Sequence, residues 1–341
     1  MAALGAPGRS HLDPEMVVLL DDIRARLKRV FRSAEDSETL AISGTGTSGM
    51  EAVAANLAEP GRRALIVVTG YFGDRLAGLL ARYGATVDRL EGEWGRAIDP
   101  PAVASKLSGA KYDLVGVVHG ETSTGVANPV REIAALAREH DALTIVDAVT
   151  SLGAVPLEVG AWQIDACYSC SQKGLGAPSG MSPVVFSARA MSRRVPSRSF
   201  YLDLDLLLDY WVRRKYHHTI SAPLVYALGE ALAEVEDETL EARWRRHEAV
   251  HLAFVEALGS LGLSLLPPAA DRLWSLNTVR VPEGIDDAVV RRRLLQQSGI
   301  EVGAGLGPLA GKVFRVGLMG SGATLQNVAR LTSAFAESMK E

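Results

Sequence analysis

Leu143-Thr144-Ile145-Val146-Asp147 is a short apolar run that ends in a carboxylate. A run this short and this rich in β-branched residues reads as a strand buried on both faces, the kind found in parallel sheets. The same texture recurs on either side of it. Strands are expected at Leu40–Ser43, Leu65–Thr69, Val87–Leu90, Leu114–His119, Ala166–Ser169 and Val184–Ser187, with amphipathic helices such as Gly49–Leu57, Phe72–Tyr83 and Val130–His140 between them. Strands alternating with helices predict βαβ units, hence an α/β fold with a mostly parallel central sheet. An amphipathic helix, Asp13–Phe31, comes first. Beyond about Leu202 come helices at Ala222–Glu236 and Leu240–Leu258, a strand near Ser275–Val281, a helix at Asp286–Gln297, a strand pair and a last helix at Thr324–Met339. The expected division is an N-terminal helical segment over 1–36, a large domain over 37–221, and a linking helix with a small α+β domain over 222–341.

Composition narrows the function classes. Of 341 residues, 48% are apolar and 22% charged, which excludes disorder and fibrous repeats. The net charge of −4 leaves no electrostatic footprint for nucleic acid. Cys167 and Cys170 cannot build a disulfide framework, so a reducing compartment is expected. No apolar run approaches the ~20 residues of a membrane span. Met1–Gly8 lacks the basic start and long apolar stretch of a secretory signal, and Ser338-Met339-Lys340-Glu341 matches no retention address. A cytoplasmic protein is expected.

Four local patterns carry possible chemistry. Gly44-Thr45-Gly46-Thr47-Ser48-Gly49 matches GxGxxG between a strand and a helix. A dinucleotide site would need an acidic residue at the end of the next strand, but Leu65–Thr69 runs into Gly70-Tyr71. What survives is either a structural tight turn or a phosphate site at a helix N-terminus. His247-Glu248-Ala249-Val250-His251 spells HExxH, but no third zinc ligand stands out, and a chance match on a surface helix is expected. Cys167-Tyr168-Ser169-Cys170 has no second CxxC, and a strand would aim its thiols at opposite faces, which favours structural cysteines. Gly305–Lys312 fails as a P-loop because Val313 follows the lysine.

Asp147 is more informative. It ends a buried strand, where active sites of parallel sheets gather. Lys173, in Ser171-Gln172-Lys173-Gly174, lies just past the following strand. A lysine, a carboxylate and a phosphate-type turn are what pyridoxal phosphate requires. A structural carboxylate or helix cap remains the alternative.

The motifs in order are Ser43-Gly44-Thr45-Gly46-Thr47-Ser48-Gly49-Met50-Glu51, His119-Gly120-Glu121-Thr122-Ser123-Thr124-Gly125, Val146-Asp147-Ala148-Val149-Thr150-Ser151-Leu152-Gly153, Ser171-Gln172-Lys173, Tyr216-His217-His218-Thr219 and Gly305–Gly320. Together they resemble the alanine–glyoxylate and serine–glyoxylate (serine–pyruvate) aminotransferases, class V members of the type I, aspartate-aminotransferase-like PLP fold. The resemblance spans nearly the whole chain. It implies pyridoxal 5'-phosphate on Lys173 as a Schiff base, with the freed amine then acting as general base. Asp147 would face the pyridine nitrogen. Thr45, Gly46, Thr47 and Gln172 would hold the phosphate, Phe72 and Val149 the two ring faces, and Thr122 the ring hydroxyl. Arg315 would clamp the substrate α-carboxylate. A homodimer is also implied, in which Tyr216 and Thr219 reach the neighbouring subunit's cofactor.

The reaction implied is transamination between alanine or serine and glyoxylate or pyruvate. No second arginine stands out for a side-chain carboxylate, which disfavours aspartate and glutamate as donors. Alternatives are another donor on the same branch (ureidoglycine or an aminophosphonate), a PLP lyase, a nicotinamide oxidoreductase or a non-catalytic relative. A desulfurase-type lyase would need a cysteine in a late loop, but both cysteines precede Lys173. No metal is expected. Relatives carry a Gly-Pro-rich lead ahead of the counterpart of Ser10–Pro14, and the sequence beginning Met1-Ala2-Ala3 is expected to lack it, with a wider substrate entrance as the consequence.

Overall fold

The structure is a computed structural model and describes residues 2–5, 8, 10 and 13–340. The comparison with a Gly-Pro-rich lead falls on residues 1–14, of which 1, 6, 7, 9, 11 and 12 lie outside the described residues. Helix α1 (Pro14–Phe31) starts where Asp13 Oδ1 accepts the Glu15 N–H at 2.8 Å and Pro14 fills a position with no N–H to satisfy. Its apolar stripe of Met16, Leu20, Ile23, Leu27, Val30 and Phe31 is buried.

The large domain follows as β1 (Glu38–Ser43), α2 (Gly46–Leu57), β2 (Arg63–Val68), α3 (Tyr71–Arg82), β3 (Thr86–Glu91), α4 (Pro100–Gly109), β4 (Leu114–Val118), the short hairpin β5 (Gly120–Glu121) and β6 (Val126–Ala127), α5 (Val130–Glu139), β7 (Leu143–Asp147), β8 (Ala166–Tyr168), β9 (Met181–Phe186), α6 (Ala188–Ser192), α7 (Leu204–Trp211) and α8 (Ala222–Glu238). The seven-stranded sheet has the order β1-β9-β8-β7-β4-β2-β3. Strand β9 is antiparallel to both neighbours, and the remaining pairs are parallel. Every residue of β4 and β7 is buried, as strands covered on both faces require.

Two features of this topology build the site. The chain runs from β2 out to β3 and returns across β2 to β4, so the strand order reverses between β2 and β4, the place where α/β sheets open a crevice. Because β9 is antiparallel to β8, the 169–180 connection that carries Lys173 stays at the sheet edge where Asp147 ends β7. A parallel β9 would have drawn that connection to the opposite edge.

The small domain comprises α9 (Leu240–Ser260), β10 (Leu276–Arg280), α10 (Asp287–Ser298), β11 (Gly303–Ala304), β12 (Val313–Gly317) and α11 (Leu325–Ser338). Its antiparallel sheet β10-β12-β11 packs on a second core containing Phe254, Leu294, Phe314 and Phe335. By packing, the division falls later than the 221/222 break read from sequence. Val225, Leu228, Leu232 and Val235 of α8 share the large core with α1, so the two units separate at Thr239. Segment 1–36 likewise joins the large core through α1.

The expected surface position of HExxH is corrected. His247 is 0% and His251 3% exposed. His247 Nδ1 lies 2.7 Å from Arg243 O, and its Nε2 accepts the Gly320 N–H at 3.0 Å. His251 Nδ1 meets Asn277 Oδ1 at 2.6 Å. Both imidazoles are engaged in tying α9 to its neighbours, and burial lowers the pKa of each.

Candidate active site

A cleft opens at the C-terminal edge of the large sheet. It is lined by Thr45, Gly46, Thr47, Met50, Phe72, Arg75, Val118, Thr122, Asp147, Val149, Gln172, Lys173 and Arg315. The turn after β1 supplies its first wall. Gly46 opens α2 because a Cβ there would lie 2.7 Å from Val149 Cγ2. Thr45 at the N-cap makes no side-chain capping bond, and the amides of Gly46 and Thr47 have no partner among the described residues. Donors at an uncapped helix N-terminus are suited to an anion.

Asp147, 2% exposed, accepts the Val149 N–H at 2.8 Å. Burial pushes its carboxyl up to about 7; the Val149 hydrogen bond works against that, and the Glu121 charge adds to it. Lys173 is partly buried and has no hydrogen-bond or ion-pair partner among the described residues. Burial lowers its pKa, and the charge of Arg315 acts in the same direction. Arg315 stands on β12 and donates from Nε to Ala304 O at 2.7 Å, leaving Nη1 and Nη2 with no partner among the described residues. Burial lowers its pKa as well. Thr122 Oγ1 lies 2.5 Å from Thr150 Oγ1, which ties the β5–β6 hairpin to the turn after Asp147.

Phe72 is held by a buried carboxylate to which the sequence reading attached no role. Glu121, 0% exposed, accepts from Phe72 N at 3.2 Å, Gly73 N at 3.1 Å and Ser123 Oγ at 2.6 Å. Ser123 Oγ in turn accepts the Tyr71 N–H at 2.9 Å. The first turn of α3 is thereby capped from the hairpin that carries Thr122.

Residues 1–325 match the Aminotransferase class-V family. The chain belongs to the class-V aminotransferases. It is 35% identical to the alanine–glyoxylate aminotransferase of Drosophila melanogaster, over 100% of this chain and 89% of that protein. It is also 35% identical to the (S)-ureidoglycine–glyoxylate transaminase of Bacillus subtilis (strain 168), over 96% of this chain and 84% of that protein. The crystal structure of an alanine–glyoxylate aminotransferase from Nostoc sp. superposes with a TM-score of 0.97 at 43% identity, covering 99% of this chain and 91% of that one.

In this aminotransferase the cleft brings together Thr45, Gly46, Thr47, Phe72, Thr122, Asp147, Val149, Gln172, Lys173 and Arg315. Tyr216 and Thr219 do not line it: Tyr216 is 65% exposed between α7 and α8, with its Oη 3.3 Å from Thr219 Oγ1. His218 Nε2 nevertheless lies 3.1 Å from Ser43 Oγ, at the start of the phosphate-type turn. Cys167 and Cys170 are buried free thiols, as structural cysteines should be, and burial pushes Cys170 up to about 12. Among the described residues no helix is long and apolar enough to cross a membrane.

Arg75, to which no role was attached from sequence, also lines the cleft. The available signal was its spacing three residues after Phe72, which puts both on one face of α3.

Proposed function

We propose that this aminotransferase uses pyridoxal 5'-phosphate to exchange amino groups between a small amino acid, alanine or serine, and glyoxylate or pyruvate. The observation that carries the reading is a half-buried amine, Lys173, without a partner among the described residues, in one cleft with buried Asp147 and with Arg315, whose Nη1 and Nη2 have none there either. The donor set suits the cofactor. The amides of Gly46 and Thr47, with Thr45 and Gln172, would hold the phosphate; Asp147 would hold the pyridine nitrogen protonated; Phe72 and Val149 would face the ring, with Thr122 near its hydroxyl. When bound, the cofactor supplies an aldehyde that condenses with amines and a ring that accepts the electron pair left at the amino acid α-carbon.

The chain's own contribution is proton handling and orientation. Lys173 Nζ, whose pKa burial lowers, is the group placed to take a proton from a substrate carbon. Arg315 offers a planar fork to a carboxylate, a geometry that lysine cannot copy. Arg315→Lys is therefore expected to raise the donor KM about 10- to 100-fold with cofactor content unchanged. An unaltered KM would place the clamp elsewhere.

The reading is tested by the visible absorption spectrum of the purified protein. A cofactor band that is lost on adding alanine or serine and regained with glyoxylate supports it, whereas failure to form any such band even with pyridoxal phosphate added would overturn it. A second reading, the same chemistry with ureidoglycine as donor, is favoured by the Bacillus subtilis relative, and bleaching of the band by that donor alone would select it.

We further propose a homodimer with shared sites in the cytoplasm. The exposed Tyr216 and its neighbour Thr219 suit a role toward the other subunit's phosphate. Mixing Lys173→Ala subunits with Tyr216→Phe/Thr219→Ala subunits should then restore activity by forming one intact site per heterodimer. No recovery would argue that each chain builds its own site.

A further inference from the structure

The cleft holds a cation that none of the roles above uses. Arg75 donates from Nη1 to Thr47 Oγ1 at 3.1 Å. Its guanidinium carbon lies 4.9 Å from the Phe72 ring centroid and 5.3 Å from that of Tyr71. Among the described residues it has no carboxylate partner, and its Nε and Nη2 donate to nothing. Asp147 acts on it only as a charge through space, so its remaining donors are open to an anionic ligand.

Two negative groups would enter this cleft, a phosphate and a substrate carboxylate. Arg315 belongs to β12 of the small domain and is held from Ala304, whereas the helical turn that would take the phosphate belongs to the large domain. Arg75 is bonded to that turn itself, through Thr47. Without Arg75, the turn offers only neutral donors and the partial charge of a helix N-terminus, about half an elementary charge. A phosphate monoester near neutral pH carries between one and two. We infer that Arg75 is a further phosphate-binding residue of the cofactor site. It places a full positive charge opposite the phosphate monoester, with Thr47 Oγ1 fixing one of its nitrogens and the Tyr71 and Phe72 rings supporting the guanidinium. The inference rests on reading the cleft as a pyridoxal phosphate site. The competing source of negative charge is the distal carboxylate of a dicarboxylic substrate.

The test uses cofactor-free full-length protein, wild type, Arg75→Met and Arg75→Lys, titrated with pyridoxal phosphate, with pyridoxal and with inorganic phosphate as competitor. Loss of a charge-assisted contact should raise the Kd for pyridoxal phosphate roughly 10- to 100-fold in Arg75→Met, with partial recovery in Arg75→Lys. The Kd for pyridoxal, which has no phosphate, should stay unchanged, and inorganic phosphate should compete far less well in the methionine variant. Equal losses for pyridoxal phosphate and pyridoxal would overturn the inference, leaving Arg75 as a brace for Phe72. Unchanged cofactor binding with a raised KM for aspartate or glutamate would overturn it in favour of a distal carboxylate. Should Arg75→Met not fold, a selective loss for the phosphorylated ligand in Arg75→Lys decides the point in the same way. Failure of the wild-type protein to bind pyridoxal phosphate at all would instead overturn the proposed function.

Discussion

Lys173→Ala is expected to abolish multiple turnover while leaving the fold intact. The side chain has no hydrogen-bond or ion-pair partner among the described residues, so its removal breaks no structural bond. It is also the primary amine of the cleft lining, so no neighbour there replaces it as proton carrier. Loss of a positioned general base alone costs about 10²–10⁴-fold, and loss of the attachment point adds to that. Borohydride treatment of the wild-type protein followed by peptide mass spectrometry should find the pyridoxyl mass on Lys173. A label on another lysine, or a variant that keeps turning over, would remove Lys173 from the reaction.

Asp147→Asn is expected to retain cofactor but slow the amino-acid half-reaction by about 10²–10³-fold, the scale for losing one preorganised electrostatic partner. A neutral amide cannot sustain a protonated pyridine nitrogen. The pH dependence carries its own sign. In the empty cleft burial pushes Asp147 up to about 7, so below that pH the carboxyl takes a proton and the anion is lost. Cofactor affinity should therefore fall as pH drops through about 7, and Asp147→Asn should flatten that dependence. A rate constant equal to that of the wild type, or an unchanged pH profile in the variant, would assign Asp147 a structural role.

Much of the large domain was legible because buried parallel strands are short apolar runs and the helices between them keep their period. Strand β7 was read to the residue, and the other six strands of the large sheet differ from expectation by one to three residues at their ends, while the β5–β6 hairpin was not expected. The antiparallel direction of β9 was not legible. Its Met181–Phe186 run is buried throughout, and a strand buried on both faces has the same composition whichever way it runs. The same limit explains the HExxH helix. Arg243, Arg246 and Glu248 make α9 look solvated, but Arg243 is itself 5% exposed and donates to Glu238 and to Gly174 O. A charge buried through its partners has no signature in a linear pattern.

Within the site, Asp147 and Lys173 were readable from position alone, a carboxylate at a strand end and a lysine past the next strand. Phe72 and Arg315 entered only through resemblance, since an aromatic at a helix start and an arginine on a strand are ordinary residues. Arg75 was missed although it shares a helical face with Phe72.

By itself the sequence determined the α/β class, the order of elements and the pairing of Asp147 with Lys173, because those follow from local periodicity and from where a strand ends. Tertiary structure alone decided which side chains share the cleft. Arg315 arrives from the small domain, and Arg75 arrives because Glu121 and Ser123 cap α3 from a separate hairpin. It also decided the chemistry of the residues placed there. The raised pKa of Asp147 and the lowered pKa of Lys173 come from burial, which is a property of everything packed around a residue and of nothing in the residue itself.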